Sequence, residues 1–175
     1  KNVFAVILGT GVGAGFSVNK KIIVGPNKLT GEWGQNPIPG PMDEYEKSVK
    51  RHCGRVGAVE VFLSGPGLEN YYEHITKTKI SSRDIVSLYQ ENDSVAGEVM
   101  DVYFERIARS FSTFVNILDP DVIVCGGGMS EIDEIYDEVP NRIIPYIASN
   151  FFLTPIVKAT HGSSSGVRGA AHLWN

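Results

Sequence analysis

The chain has 175 residues, of which 42% are hydrophobic and 21% are charged, and its formal net charge is −4. These proportions indicate a soluble globular protein of one domain and exclude a disordered chain. Because the charge is negative and no basic run is longer than Lys20 and Lys21, nucleic acid and anionic membranes are poor candidate partners. No apolar stretch has the length of a membrane span, and two cysteines are too few for a disulfide framework, so we expect a reducing, cytoplasmic location.

The first predicted element is an apolar strand over residues 3–8, which leads into a glycine-rich turn containing Gly9, Thr10, Gly11, Gly13 and Gly15. Backbone N–H groups in such a turn can approach an anion closely because glycine has no Cβ, so the turn is a candidate phosphate loop. The alternative is a tight β-hairpin, since residues 16–24 resemble a returning strand around an Asn-Lys turn. The two interpretations are compatible, because a hairpin tip can hold phosphate.

The elements that follow alternate between helices and short strands. Residues 25–42 are rich in Gly and Pro and predict an irregular loop, and residues 94–118 carry apolar side chains every three or four positions, which predicts a long helix. Further helices are predicted near Glu60, after the break at 64–70, and from the N-cap Ser81. A helix over 131–147, interrupted at Pro140 and Pro145, and a last helix after the glycine turn that follows His161 are also predicted. Apolar strands are predicted over 122–125 and 154–159. A hairpin followed by strand–glycine–helix units predicts an α/β domain with a mixed sheet.

Glycine-rich turns follow three of the apolar strands, after Leu8, after Cys125 and after Ala159. In open α/β sheets ligands bind at the carboxyl ends of strands, where helix N-termini and exposed amides face anions. Three such turns therefore predict a nucleotide site with separate loops for the phosphates and the base. None of the turns has the Walker sequence or the dinucleotide fingerprint in its usual strand–helix context.

A different kind of candidate site lies in residues 31–37, with the sequence Gly-Glu-Trp-Gly-Gln-Asn-Pro. One carboxylate and two amides within five residues suit hydrogen bonding to the hydroxyls of a sugar. The alternative is a capped turn with an exposed acid, which the composition of the loop alone favours.

Together these segments resemble the ROK sugar kinases, a family of the actin/hexokinase-like ATPase superfamily. The resemblance rests on segments 9–15, 31–37, 53–60, 116–130 and 164–171 in this order, extends along essentially the whole chain, and is strongest to the bacterial fructokinase (manno(fructo)kinase) branch. It implies an actin/hexokinase-like, ribonuclease H-like α/β fold. It also implies that residues 1–175 are the C-terminal lobe of a kinase whose N-terminal lobe is absent from this sequence.

The resemblance implies ATP, Mg²⁺ and a hexose as ligands, with the sugar 6-hydroxyl as phosphoryl acceptor. It assigns phosphate binding to Gly9, Thr10 and Gly11, the adenosine pocket to Gly126, Gly127, Gly128, Met129 and Gly166, and sugar contacts to Glu32, Gln35 and Glu60.

The chain departs from the family at a structural zinc site. The family pattern supplies one histidine and three cysteines, whereas the corresponding positions here are Gln35, Arg51, Cys53 and Ala58. Because a structural zinc needs about four ligands, we predict that zinc is absent and that packing and hydrogen bonds hold the loop.

The catalytic Asp of the family and its first phosphate loop would both precede Lys1, so no catalytic residue is assigned and we expect this chain alone to be inactive. Asp119 and Asp121, on either side of Pro120, are interpreted as a helix-terminating turn. Two alternatives to a kinase lobe stay open: a non-catalytic relic or assembly domain, and the sugar-binding body of a ROK transcriptional repressor. The sugar is also open among fructose, mannose, glucose and N-acetylated hexosamines, as is a homodimer through this lobe.

Overall fold

A five-stranded mixed sheet forms the centre of the computed structural model, which describes residues 1–171. The strands are β1 (Asn2–Leu8), β2 (Val12–Val18), β3 (Lys21–Ile22), β4 (Val122–Gly126) and β5 (Ile156–Lys158). Their order is β3-β2-β1-β4-β5, with β1, β2 and β3 antiparallel in succession and β4 and β5 parallel to β1. This arrangement confirms the predicted α/β class and its mixed sheet.

The helices lie mainly between β3 and β4. Within residues 1–171 they are α1 (Glu44–Ser48), α2 (Glu60–Leu63), α3 (Gly65–Thr76), α4 (Ser82–Gln90), α5 (Ser94–Leu118), α6 (Ile135–Arg142) and α7 (Ser165–Ala171). Short 3₁₀ turns cover Trp33–Gln35, Gly128–Glu131, Ile144–Tyr146 and Gly162–Ser164. No helix in the described part of the chain is long and apolar enough to cross a membrane. The end of the last predicted helix, residues 172–175, lies outside the described residues.

Helix α5 has the predicted bounds because both of its ends are capped. The Asp93 side chain accepts a hydrogen bond from the Ala96 N–H at 2.8 Å, and Asp119 ends the helix with a φ of 39° immediately before Pro120. The apolar stripe of α5 packs on the sheet, where the rings of Phe4 and Phe114 stack at 4.0 Å. Since Phe4 lies on the buried face of β1, this contact joins the longest helix to the central strand.

The predicted elements at both ends of the chain need correction. Strand β2 begins at Val12 instead of residue 16, so Gly13 and Gly15 pair with β1 and only residues 9–11 form the turn. The Asn-Lys turn is present, with positive φ at Asn19 and Lys20, and it joins β2 to β3.

The second half of the chain also differs in detail. Helix α6 begins at Ile135 and contains Pro140, which had been predicted to interrupt it. The last strand is shorter than predicted and covers only Ile156–Lys158, because its pairing with β4 extends over three residues.

Candidate functional site

The three glycine-rich turns lie at one edge of the sheet, because β1, β4 and β5 are parallel and each ends there. The second and third turns are neighbours: the Ala159 N–H donates to the Cys125 carbonyl at 2.8 Å, and a Cβ at Gly126 would lie 3.7 Å from the Gly162 carbonyl oxygen. The first turn contacts the start of α3, since the Gly65 N–H donates to the Gly9 carbonyl at 2.9 Å. The chain therefore brings the three glycine-rich turns together at one edge of the sheet; in the second turn Gly126 and Gly127 are buried and Gly128 is exposed.

The first turn is the three-residue tip of the β1–β2 hairpin. Leu8 pairs with Val12 across its base, and the Gly9 N–H donates to the Gly11 carbonyl at 3.0 Å. Thr10, at the apex, is exposed. The structure thus confirms the hairpin, whose tip presents a hydroxyl and a glycine backbone, and phosphate binding at this tip stays a prediction.

Glu60, the first residue of α2, lies against this tip. Its Oε2 accepts a hydrogen bond from the Val12 N–H at 3.1 Å, and a Cβ placed on Gly11 would lie only 2.9 Å from the same oxygen. Its Oε1 accepts from the Arg51 Nε–H at 3.0 Å. A residue expected to bind sugar and a loop expected to bind phosphate are therefore in direct contact.

The 31–37 loop is fixed next to Glu60 by backbone hydrogen bonds. The Ala14 N–H of β2 donates to the Gly31 carbonyl at 2.9 Å, and the Val59 N–H donates to the Asn36 carbonyl at 2.8 Å. Within this loop the Glu32 side chain is exposed and Gln35 is half-buried. The loop thus brings two of the predicted sugar-binding residues to the segment that leads into α2.

The Trp33 side chain packs the same loop against the hydrophobic core. Its ring meets Phe111 and Phe114 of α5 edge-on, with ring centroids 5.9 and 5.5 Å apart. Edge-to-face aromatic contacts of this kind stabilise the packing of the loop on the core.

The second turn is shaped by Gly127, whose φ is +89°. A side chain there would collide with the Leu8 carbonyl oxygen of the adjacent strand, so both the backbone conformation and the space require glycine. The Ser130 hydroxyl and N–H both donate to the Gly127 carbonyl, at 2.7 and 3.2 Å. Met129 is buried in the hydrophobic core, so only its backbone can contribute to a nucleotide pocket.

Glu131, at the end of the second turn, contacts both the third turn and strand β5, and the sequence did not reveal these contacts. Glu131 Oε1 accepts from the Ser163 N–H at 3.2 Å, while its Oε2 lies 2.8 Å from Lys158 Nζ. The hydrogen bond from Lys158 lowers the pKa of Glu131 from its usual value. Gly166 lies beyond this link, exposed in the first turn of α7. No sequence pattern marks the pair, because its partners come from separate elements.

The residues at the zinc positions of the family do not fit zinc. Ala58 is buried and bridges to Pro37, Cys53 is exposed, and Arg51 Nη1 lies 3.6 Å from Cys53 Sγ. Across the described residues there is no group of three or more His, Cys, Asp or Glu side chains that could hold a metal ion. The Arg55 backbone N–H, and after it Arg51, lower the pKa of Cys53, but a single thiol beside a guanidinium is not a zinc site.

Comparison with known proteins gives the family. The model of the ROK family matches residues 1–175. The chain belongs to the ROK family. The resemblance found in the sequence is therefore confirmed, and with it the fold.

Among the relatives of this ROK chain are two N-acetyl-D-glucosamine kinases. The kinase of Vibrio atlanticus is 38% identical over 98% of this chain, and that of Yersinia enterocolitica is 35% identical over 98%. The chain spans 58% of the length of each. These names do not confirm the fructokinase branch that the sequence suggested.

Solved structures share the fold. A ROK family glucokinase from Streptomyces griseus, solved in complex with glucose and AMPPNP, superposes with a TM-score of 0.84 at 21% identity, over 98% of this chain and 60% of the glucokinase. At this level of identity the similarity shows a common fold.

Proposed function

We propose that this chain is the C-terminal lobe of an ATP-dependent sugar kinase and binds both the sugar and the nucleotide. The observation that carries the proposal is the contact of the Glu60 carboxylate with Gly11 and Val12 at the hairpin tip. Transfer of a phosphoryl group requires the acceptor hydroxyl and the γ-phosphate to lie next to each other in a fixed orientation. A sugar-binding carboxylate in contact with a phosphate loop supports that arrangement.

In this proposal the phosphates lie against the hairpin tip, where the Thr10 hydroxyl and the Gly11 N–H donate hydrogen bonds to their oxygens, while Gly9, whose N–H donates to the Gly11 carbonyl, keeps the tip compact. The nucleoside occupies the edge between the second and third turns, with Gly126, Gly127, Gly128, the Met129 backbone and Gly166. Glu32, Gln35 and Glu60 accept or donate hydrogen bonds at the sugar hydroxyls.

Charge and proton movements require further groups. Mg²⁺ would neutralise the phosphate oxygens, as phosphoryl transfer generally requires. A general base has to take the proton of the attacking 6-hydroxyl, and we assign it to the remainder of a longer protein, together with a second phosphate loop.

For the sugar we propose N-acetylglucosamine in place of fructose. The support is the set of N-acetyl-D-glucosamine kinases at 35–38% identity. These relatives match along nearly the whole chain, including the segments that carry Glu32, Gln35 and Glu60.

The test is a coupled assay of ADP formation by a full-length protein carrying this chain. N-acetylglucosamine should be used with a higher kcat/KM than fructose, mannose or glucose. The Glu60→Gln variant should raise the KM for the sugar about tenfold or more, because a hydrogen bond to a charged group contributes about 1.5–3 kcal/mol. Glu44→Gln, whose side chain is 90% exposed, is the matched control and should leave KM unchanged.

Two outcomes would contradict the proposal in different ways. A clear preference for fructose would overturn the sugar and keep the reaction. No transfer to any hexose by a folded full-length protein would favour a non-catalytic domain.

A further inference from the structure

Arg51 stands at a position where the family pattern has a zinc-binding cysteine, and its side chain connects two neighbouring groups. Its Nε donates to Glu60 Oε1 at 3.0 Å, and its Nη1 lies 3.6 Å from Cys53 Sγ. The Arg51 and Glu60 side chains are 17% and 23% exposed. An ion pair this well shielded is screened less by solvent than a surface pair.

The backbone around Arg51 fixes where the guanidinium can reach. The Arg51 N–H donates to the Arg55 carbonyl at 2.8 Å, and the Gly54 N–H donates to the Arg51 carbonyl at 2.8 Å. A bridge between Lys50 and Val56 closes the same turn. Arg51 therefore projects from a tight, hydrogen-bonded turn toward α2.

Glu60 transmits this contact to the hairpin tip. Each of its carboxylate oxygens has a different partner: Arg51 on one side, and the Val12 N–H at 3.1 Å on the other. If Arg51 is removed, the long Glu60 side chain keeps one hydrogen bond and gains the freedom to rotate toward solvent. The position of the carboxylate over Gly11 would then no longer be fixed.

We propose that Arg51 is a positioning residue that holds the Glu60 carboxylate over the hairpin tip, and that its guanidinium supplies the fixed positive charge at the place where the family pattern calls for zinc. This proposal rests on the proposed function, which assigns Glu60 as a sugar ligand. It follows that the turn carrying Arg51 and the hairpin tip are coupled through one carboxylate, and that this coupling does not require a metal ion.

The test follows the Val12 and Gly11 amides of the ¹⁵N-labelled chain by NMR. Arg51→Gln should shift both amide resonances and lower the hydrogen-exchange protection of Val12 about tenfold, because the hydrogen bond from its N–H loses a fixed acceptor. Arg55→Gln changes an exposed arginine of the same turn and is the matched control. Arg51→Lys should restore part of the protection, since it keeps the charge and loses the fork geometry.

A double-mutant cycle of Arg51 and Glu60 separates the positioning of the Glu60 carboxylate from general stabilisation of the fold. Glu60→Gln should shift the Val12 amide as well, and adding Arg51→Gln to it should cause little further change. A folded Arg51→Gln chain with an unchanged Val12 amide would overturn the proposal. So would zinc bound at one equivalent per chain, with EDTA shifting the amides of Gln35 and Cys53.

The sugar kinetics of a full-length protein distinguish this proposal from the proposed function. Arg51→Gln should raise the KM for the sugar about tenfold with a smaller effect on kcat, because Glu60 is displaced while the phosphate loop persists. If the wild-type protein phosphorylates no sugar but the Val12 amide responds to Arg51→Gln, the proposed function fails and the positioning role stands. If the wild-type protein is active and neither KM nor the amide responds, the positioning role fails alone.

Discussion

Replacing Arg106 by methionine removes the central cation of a buried ion cluster that joins α5 to the segment before α2. Arg106 Nε lies 2.9 Å from Glu46 Oε1, and the two side chains are only 2% and 1% exposed. The guanidinium also lies 4.2 Å from the centre of the Tyr71 ring and 5.0 Å from that of Phe62. Methionine keeps much of the volume and removes only the charge and the hydrogen bonds.

The cost follows from the partners that are left behind. Removing one partner of a buried ion pair costs about 3–5 kcal/mol. Arg109 stays within 3.2 Å of Glu46 Oε1, which places the loss at the lower end of that range. The contact of Arg106 with Asp43 adds little, because Asp43 is half-exposed and surface pairs contribute about 0–1 kcal/mol. We expect a decrease of about 3–4 kcal/mol in the free energy of unfolding.

The assay is urea and thermal unfolding of the chain followed by circular dichroism. A loss of this size lowers the midpoint temperature by about 6–16 °C, since each kcal/mol corresponds to about 2–4 °C for a chain of this length. Lys47→Met, which removes an exposed pair with Glu44, is the control and should cost less than about 0.5 kcal/mol. If Arg106→Met cost no more than this control, the cluster would not anchor the segment and the reasoning would be refuted.

Two further predictions concern the second glycine turn and the cysteines. Gly127→Ala should lower the free energy of unfolding by about 1–3 kcal/mol in urea, because it forces a side chain into a positive-φ conformation against the Leu8 carbonyl. Gly128→Ala, with open space around it, should change the free energy of unfolding by less than about 0.5 kcal/mol. Equal effects of the two substitutions would contradict this prediction. At pH 8 a thiol reagent should modify Cys53 quickly and leave Cys125 intact in the folded chain, because the pKa of the exposed Cys53 is lowered while burial raises the pKa of Cys125 to about 12. Modification of both thiols at similar rates would show that β4 is not buried as described.

Local patterns predicted the long helix and the bounds of β1 and β4 well. Helix α5 has a clear apolar period, an acidic N-cap and a proline after its end, and these signals act within a few residues of one another. The bounds of β2 could not be predicted in the same way. Gly13 and Gly15 favour a turn locally, but the ladder with β1 pairs Gly13 with Ile7 and Gly15 with Ala5 and extends the strand through both.

The candidate site was predictable only in part, and for a similar reason. The glycine turns, Glu32 and Glu60 could be found from their motifs and the family resemblance. The pairs of Arg51 with Glu60 and of Lys158 with Glu131 could not, because each joins separate elements that only the fold brings together. The sequence does not show which of the charged side chains will form pairs.

The measurement that tests the central claim most directly is a calorimetric titration of this chain with Mg-ADP. If the turns at the edge of the sheet form a nucleotide site, the titration should show about one site per chain, with a dissociation constant below about 1 mM, which corresponds to a binding free energy of about −4 kcal/mol. Gly127→Ala should weaken this binding, and Gly97→Ala, in α5 with open space around it and outside the proposed pocket, should preserve it. A chain that unfolds cooperatively and yet gives no binding heat at any of several temperatures would contradict the account.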